Sequence, residues 1–243
     1  ANNNTAVGSS ALLANTTGAS NTAVGRAAMQ LNTTGANNLA VGANALDANT
    51  TGNGNIAVGV ETLGSNTTAG ANVGVGNDAL GNASTGGSNT AIGHQAGLNV
   101  TTGANNLFLG HDAGKSSSPS GSITDGNNNI CLGDNSISNA FIKVAFTVTS
   151  DQRDKIEDGV VSHGLDFVNQ LKPKSFWFRK NRDSDEKHGD KRYGFYAQDI
   201  LALEGSDSVV IDSKDSENLK FKGDQLIPIL VNAIKELSAK VTA

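Results

Sequence analysis

The chain has 243 residues, a net charge of −5 and 29 glycines, whereas aromatic residues make up only 5% and charged residues 17%. A single cysteine excludes an intrachain disulfide framework, no apolar run is long enough to be a membrane span, and the acidic balance argues against nucleic-acid binding. No secretion signal is visible, and the absence of an initiator methionine predicts a fragment or a processed product.

These averages combine two unlike regions. Residues 1–133 hold 23 of the 29 glycines, and residues 1–149 hold only nine charged side chains. The only tryptophan and both tyrosines lie in residues 150–243. A shift of this kind predicts a domain boundary near 145–150, with residues 134–149 as a connector.

The first region is a repeat of 17 residues with the approximate consensus N-T-A-V-G-x-x-A-L-x-x-N-T-T-G-A-N. The consensus glycine, called the phase glycine below, recurs at Gly8, Gly25, Gly42, Gly59, Gly76, Gly93 and Gly110, and again at Gly133 after 23 residues. Gly, Asn and Thr disfavour helix interiors, and the strict phase argues against disorder. The repeat therefore predicts an all-β solenoid or β-roll over 1–133.

Several repeat positions carry specific expectations. We expect the Ala-Leu pair to point inward, together with the residue before each phase glycine, which is Val7, Val24, Val41, Val58, Val75, Ile92, Leu109 or Leu132. The phase glycines should take positive φ or allow close backbone approach at corners, and the recurrent Asn should adopt the left-handed conformation or form an amide ladder. Because such small apolar residues bury little area, we infer association of identical rods as a homotrimer.

Few residues of the repeat suggest a chemical site. His94 and His111 lie one period apart, but two histidines without a third ligand favour surface residues over a metal site. Cys131 replaces the consensus Ala and is predicted to be a small core residue, and the Asn15-Thr16-Thr17 sequon is interpreted as a turn. Carboxylates are too sparse for a glycosidase pair, and we expect no metal and no cofactor.

The remainder of the chain predicts a small α+β domain. The expected elements are a strand over 140–149 in the connector, a helix over 165–171 that stops before Pro173, a strand over 175–180, a charged loop over 181–192, a strand over 193–196, a helix over 197–204, and a hairpin of 208–212 with 219–222.

A final helix is predicted from an N-cap at Asp224 to about Val241, with Pro228 tolerated in its first turns. An apolar residue recurs every third or fourth position along this helix and forms a stripe of Ile227, Leu230, Ile234, Leu237 and Val241. This stripe favours a trimeric coiled coil; the alternative is a helix packed on its own domain.

Four motifs in order carry a resemblance. They are Ser150-Asp151-Gln152-Arg153-Asp154-Lys155, Leu171-Lys172-Pro173, Tyr193-Gly194-Phe195-Tyr196-Ala197-Gln198, and the Leu-rich and Ile-rich helix over 226–241. With these motifs, residues 150–243 resemble the endosialidase-type intramolecular chaperone domain at the C-termini of phage tail fibres and tailspikes. The repeats are similar to the stalk or head repeats that precede this domain and, more loosely, to trimeric autotransporter adhesin heads.

The resemblance implies a mechanism. The C-terminal domain would trimerise, bring three chains into register, and then be released by cleavage between Thr149 and Ser150. Ser150 would be the nucleophile and Lys155 its base, in a single-turnover serine peptidase that acts in cis and has no external substrate. Asp154 departs from the family, which usually has an apolar residue there, and a carboxylate favours the protonated form of a neighbouring amine.

The implied function is host attachment as part of a virion tail fibre or tailspike. The implied partners are two identical chains and a host-surface receptor, expected to be a glycan, with no nucleic acid and no membrane insertion. A cleaved chaperone part would be released in the host cytoplasm. Two alternatives stay open from the residues: a bacterial trimeric surface adhesin without self-cleavage, and an enzyme acting on glycans, which the sparse carboxylates and aromatics disfavour.

Overall fold

The computed structural model describes residues 3–143, 150–179, 182–205 and 208–242. The chain divides into two compact units, Ala1–Ile137 and Ser138–Ala243, which are described separately below. Most of the strand predicted over 140–149 lies outside the described residues, and its described part, 140–143, contains no strand. The predicted bounds of the connector stay a prediction.

The first unit is a β-solenoid, as the repeat predicts. Its eight strands, each of three residues, form one parallel sheet in chain order. The strands are β1 (Thr5–Val7), β2 (Thr22–Val24), β3 (Leu39–Val41), β4 (Ile56–Val58), β5 (Val73–Val75), β6 (Thr90–Ile92), β7 (Leu107–Leu109) and β8 (Ile130–Leu132). Each residue pairs with its equivalent in the next repeat, for example Ala23 with Ala40. The longer last repeat keeps the register, since Phe108 pairs with Cys131.

The prediction that the residue before each phase glycine points inward is wrong. Val7 is 58% exposed, Ile92 46% and Leu132 58%, and Val24 is only half-buried. Successive side chains of a strand face opposite sides, so the central residue of each three-residue strand points into the solenoid instead. That residue is Ala in most repeats, and its two apolar or threonine neighbours form the outer face of the sheet.

The inward row formed by the Ala-Leu pair is confirmed. Ala28, Met29, Ala45, Leu46, Ala79 and Leu80 are fully buried in one continuous core with the central strand residues. Cys131, at a central position, is also buried, as predicted.

The core stays filled in the two coils in which glycine replaces the consensus Leu. Gly97 and Gly114 occupy the Leu position of the pair, and Phe108 occupies the neighbouring Ala position of β7. A Cβ at Gly114 would lie 2.3 Å from the Phe108 ring, and one at Gly97 would lie 2.8 Å from it. The Phe108 ring therefore fills the space that two consensus leucine side chains would otherwise occupy, as the close packing of a core requires.

The recurrent Asn forms a buried amide ladder, which confirms one of the two expectations for it. The backbone N–H of Asn38 donates to Asn21 Oδ1 at 3.0 Å, and Asn38 Oδ1 accepts from the backbone N–H of Asn55 at 2.8 Å. Asn38 Nδ2 also donates to Gly52 O at 2.8 Å. Each amide thus satisfies backbone groups of neighbouring coils that would otherwise be buried without partners.

A second ladder connects the asparagines of the Asn-Thr-Thr turns. Asn32 donates to Asn15, Asn49 to Asn32, and Asn66 to Asn49, each at 2.8 Å. The next coil has Ala83 at this position, and Asn66 Oδ1 is buried without a hydrogen-bond partner in the described part of the chain. The ladder therefore ends where the sequence changes from a polar to an apolar side chain.

The phase glycines have positive φ, as predicted, and they also contact one another. Gly42 has a φ of 141°, and a Cβ built on it would lie 2.2 Å from the carbonyl oxygen of Gly59 in the next coil. The same close approach recurs at Gly25, whose Cβ would lie 2.4 Å from Gly42 O. Only glycine allows two coils to stack at this distance in this conformation.

We predict that Gly42→Ala destabilises the solenoid by at least about 2 kcal/mol, because it combines backbone strain with a clash against the next coil. Gly54→Ala is the matched control. Gly54 has a φ of 68°, and no atom of the described residues lies within 4 Å of a Cβ built there; Ala71 adopts a φ of 59° at the equivalent position. Thermal unfolding followed by circular dichroism should separate the two variants; equal melting temperatures would contradict the contact argument.

The second unit is α+β, as predicted. It contains helix α1 (Leu165–Gln170), strands β9 (Lys174–Arg179) and β10 (Lys187–Gly194), helix α2 (Ala197–Glu204), strands β11 (Ile211–Asp212) and β12 (Lys220–Phe221), and helix α3 (Leu226–Thr242). The strands form two antiparallel pairs, β9 with β10 and β11 with β12. The core consists of Phe167, Ile200, Val210, Ile211, Leu226 and Ile229.

Two local predictions are wrong. The charged loop over 181–192 is strand from Lys187 onward, because its cations lie over the aromatic rings of β9. Lys187 Nζ is 4.0 Å from the centroid of the Trp177 ring, and the Arg192 guanidinium is 5.5 Å from that of Phe178. Asp224 does not act as a helix N-cap; it lies in a 3-10 turn that precedes α3.

Candidate functional site

Ser150 and Lys155, the predicted nucleophile and base, lie in direct contact. Lys155 Nζ is 2.5 Å from Ser150 Oγ and 3.4 Å from the Ser150 carbonyl oxygen. A 3-10 turn over Gln152–Asp154 reverses the chain between them, and the Lys155 N–H closes that turn on Gln152 O at 3.1 Å. Ser150 and Lys155, which lie five residues apart in sequence, thus form a hydrogen-bonded pair.

Asp151 and Arg153 stabilise this turn beside the pair. Asp151 caps the turn by accepting from the Arg153 N–H at 2.9 Å, and the Arg153 guanidinium donates to Asp151 Oδ2 at 2.6 Å. Hydrogen bonds from the side chain and the backbone of Arg153 lower the pKa of Asp151 below its usual value. The carboxylate of Asp151 is therefore directed to Arg153, which leaves the amine of Lys155 to Ser150.

The pair is exposed in the single chain. The side chains of Ser150 and Lys155 are both exposed to solvent. Thr149, which would supply the acyl side of the predicted cleavage site, lies outside the described residues. The geometry therefore shows a nucleophile and a base in contact, and their catalytic roles stay a prediction.

The other motif residues support the fold of the second unit. Leu171 and Phe195 pack against the core of the second unit, and Ala197 begins α2. Glu236 on α3 accepts from the N–H of Leu165 at 2.8 Å, so the final helix caps the start of α1. The three motifs that follow Lys155 in sequence therefore contribute to one packed core, although they are distant from one another in sequence.

Sequence reasoning missed one buried carboxylate with a clear role. Glu204, at the end of α2, accepts from the backbone N–H groups of Val209, Val210 and Ile211 at 2.8, 2.6 and 3.0 Å. These bonds fix the chain that leads into β11. A single Glu at a helix end has no distinctive pattern, so no local signal could have identified it.

His94 and His111 are exposed, as predicted, and their rings stack on adjacent coils of the solenoid. The structure adds Asp112, whose carboxylate lies near both imidazoles. Sequence reasoning missed this third side chain because it considered only residues one full period apart. No helix in the described ranges is long and apolar enough to cross a membrane.

Comparison with known proteins gives a family match for part of the second unit. Residues 150–209 match the family model described as chaperone of endosialidase. The match begins at Ser150 and covers three of the four sequence motifs. Neither the curated proteins nor the solved structures contain a significant match. The match supports an intramolecular chaperone role for this region and agrees with the predicted resemblance.

Proposed function

We propose that this chain is part of a trimeric virion tail fibre or tailspike whose second unit assembles the solenoid and then cleaves itself off. The observation that carries the proposal is the coincidence of the family match, which starts at Ser150, with the contact between Ser150 Oγ and Lys155 Nζ. Host attachment, a glycan receptor and the virion location follow from the tail-fibre context of the resemblance.

The cleavage chemistry needs only groups of this chain and water. Neutral Lys155 accepts the Ser150 hydroxyl proton while Oγ bonds to the carbonyl carbon of Thr149. The C–N bond between Thr149 and Ser150 then breaks, and the proton passes from Lys155 to the released amine. Water hydrolyses the resulting ester, which frees the Thr149 carboxylate and restores the Ser150 hydroxyl.

Assembly supplies the control over this step. The base in this step must be the neutral amine, so the proposal links activity to the surroundings of Lys155, which is exposed in the single chain. Burial of Lys155 against a second chain would favour its neutral amine. Cleavage would then follow trimerisation and report that the three chains are correctly assembled.

We predict that the trimeric chain releases a C-terminal fragment beginning at Ser150, and that Ser150→Ala and Lys155→Met each abolish the release. Ser162→Ala and Lys172→Met are matched controls, since both residues are exposed in the same unit. Intact-mass measurement after expression detects the fragment, and size-exclusion chromatography with light scattering establishes that each variant is trimeric.

Two outcomes would overturn the peptidase part. A wild-type trimer that stays whole would favour the bacterial trimeric adhesin, which needs trimerisation without self-cleavage. A fragment that persists in trimeric Lys155→Met would exclude Lys155 as the base. Neither outcome affects the chaperone part, which the oligomeric state tests separately.

The final helix supports trimerisation through its unpartnered apolar stripe. One side of α3 packs on its own unit through Leu226, Ile229 and Ala233, which are buried. A neighbouring side carries the predicted stripe, in which Ile234 is 66% and Val241 78% exposed. The packing of α3 on its own unit is thus present, and the exposed stripe supports the proposal that a second and a third copy cover it.

The solenoid presents a second apolar surface. The residues at both ends of each strand face outward, and Ile56, Val75, Ile92, Leu109, Ile130 and Leu132 are all exposed large hydrophobic side chains. Val75, Ile92, Leu109 and Leu132 form a row at the third position of four successive strands, and an exposed apolar row of this kind marks an interaction surface. Packing against identical rods would bury the row at the same register in each chain.

We predict that Ile234→Asp converts the trimer into monomers, because it places a charge in the apolar stripe of α3. Ala239→Asp is the matched control: it adds the same charge on the opposite, exposed side of the helix. Size-exclusion chromatography with light scattering distinguishes the two. If both variants keep the mass of the wild-type protein, the stripe is not the trimer contact.

A further inference from the structure

The register of the solenoid creates a column of side chains one residue after each phase glycine. In successive coils this column contains Asn77, His94, His111 and Asp134. The rings of His94 and His111 stack with centroids 5.2 Å apart and an interplanar angle of 11°. His111 Nδ1 lies 3.2 Å from Asp134 Oδ2. Two imidazoles and a carboxylate therefore adjoin along three coils.

Asp112 completes a set of three possible ligands beside this column. One nitrogen of His94, one nitrogen of His111 and one carboxylate oxygen of Asp112 all lie within 4.8 Å of one another. Asp112 Oδ1 accepts from Lys115 at 3.1 Å, and Asp112 Oδ2 accepts from Ser117 at 3.0 Å. Both imidazoles are exposed, so a solvated ion has direct access.

The geometry suits a tetrahedral ion after small side-chain rotations. Imidazole and carboxylate ligands bind Zn²⁺ at about 2.0–2.2 Å, so two ligand atoms of a tetrahedral site lie roughly 3.4 Å apart. Exposed imidazoles can rotate by the roughly 1.4 Å that separates this value from the observed spacing of up to 4.8 Å. Water would supply the fourth ligand.

Lys115 opposes metal binding at this set. Its ammonium lies 3.1 Å from Asp112 Oδ1, so it competes directly with a cation for the carboxylate. Gln95 Oε1 also accepts from the same ammonium, at 2.5 Å. Lys115 would therefore weaken the site, and its removal should strengthen binding if Asp112 is a ligand.

We propose that His94, His111 and Asp112 form a binding site for Zn²⁺, or for a similar divalent ion that prefers imidazole, joining two coils near the C-terminal end of the solenoid. Two nitrogen ligands with one carboxylate are typical of this class of ion rather than of Ca²⁺ or Mg²⁺, which prefer oxygen. The bound ion would cross-link adjacent coils and stabilise the end of the stack.

Isothermal titration calorimetry of the untagged, chelator-treated full chain with ZnCl₂ tests the proposal. We expect one ion per chain, and an increase in Kd of about tenfold or more for His94→Asn, His111→Asn and Asp112→Asn. Lys115→Met should lower the Kd. His188→Asn, in the second unit, is the control that should leave binding unchanged, and circular dichroism verifies the fold of each variant.

Absence of saturable binding by the wild-type chain would overturn the proposal. Binding that survives in folded His94→Asn and His111→Asn would also overturn it, because the ion would then be held elsewhere. The three-ligand set would be refuted by a third result. In that result, both histidine variants weaken binding, whereas Asp112→Asn and Lys115→Met leave the Kd unchanged.

Discussion

The structure depends on close stacking of one coil on the next in register. Each coil donates and accepts backbone hydrogen bonds at the same positions as its neighbours, and the phase glycines allow a carbonyl oxygen within 2.2 Å of where the Gly42 Cβ would lie. The buried Asn38 amide satisfies groups of the coils on both sides. Because every coil depends on its neighbours, a single repeat could not be stable alone.

The same regularity creates the problem that a chaperone would solve. Successive repeats have nearly identical strands, so chains could associate one repeat out of register with little loss of contacts. Parallel pairing of distant segments is also slow. A folding unit that first joins three chains at their C-terminal ends would fix the register and raise the local concentration of the repeats. The match of residues 150–209 to a chaperone family fits this requirement.

The sequence predicted those features that are encoded by strict repetition or by ordered motifs. The period of 17 residues gave the solenoid, the Asn ladder and the positive φ of Gly42, since each depends on one local pattern. It did not show that Ala23 rather than Val24 faces inward, because hydrophobicity favours Val while the three-residue strand presents its central side chain to the core.

Features that depend on contacts between distant residues were missed. The strand character from Lys187 onward arises from packing of its cations on Trp177, which charge content alone hides. Asp112 follows His111 directly in sequence, but it lies beside His94 only because adjacent coils stack. For the candidate cleavage site, the family motif gave Ser150 and Lys155, and their contact follows from a local turn.

The central claim is that the second unit sets the assembly of the solenoid, and the most direct measurement compares the full chain with residues 1–149 expressed alone. Size-exclusion chromatography with light scattering gives the mass of each soluble product. The account predicts a soluble trimer for the full chain, and insoluble or monomeric protein for residues 1–149. A soluble, folded trimer of residues 1–149 alone would contradict it.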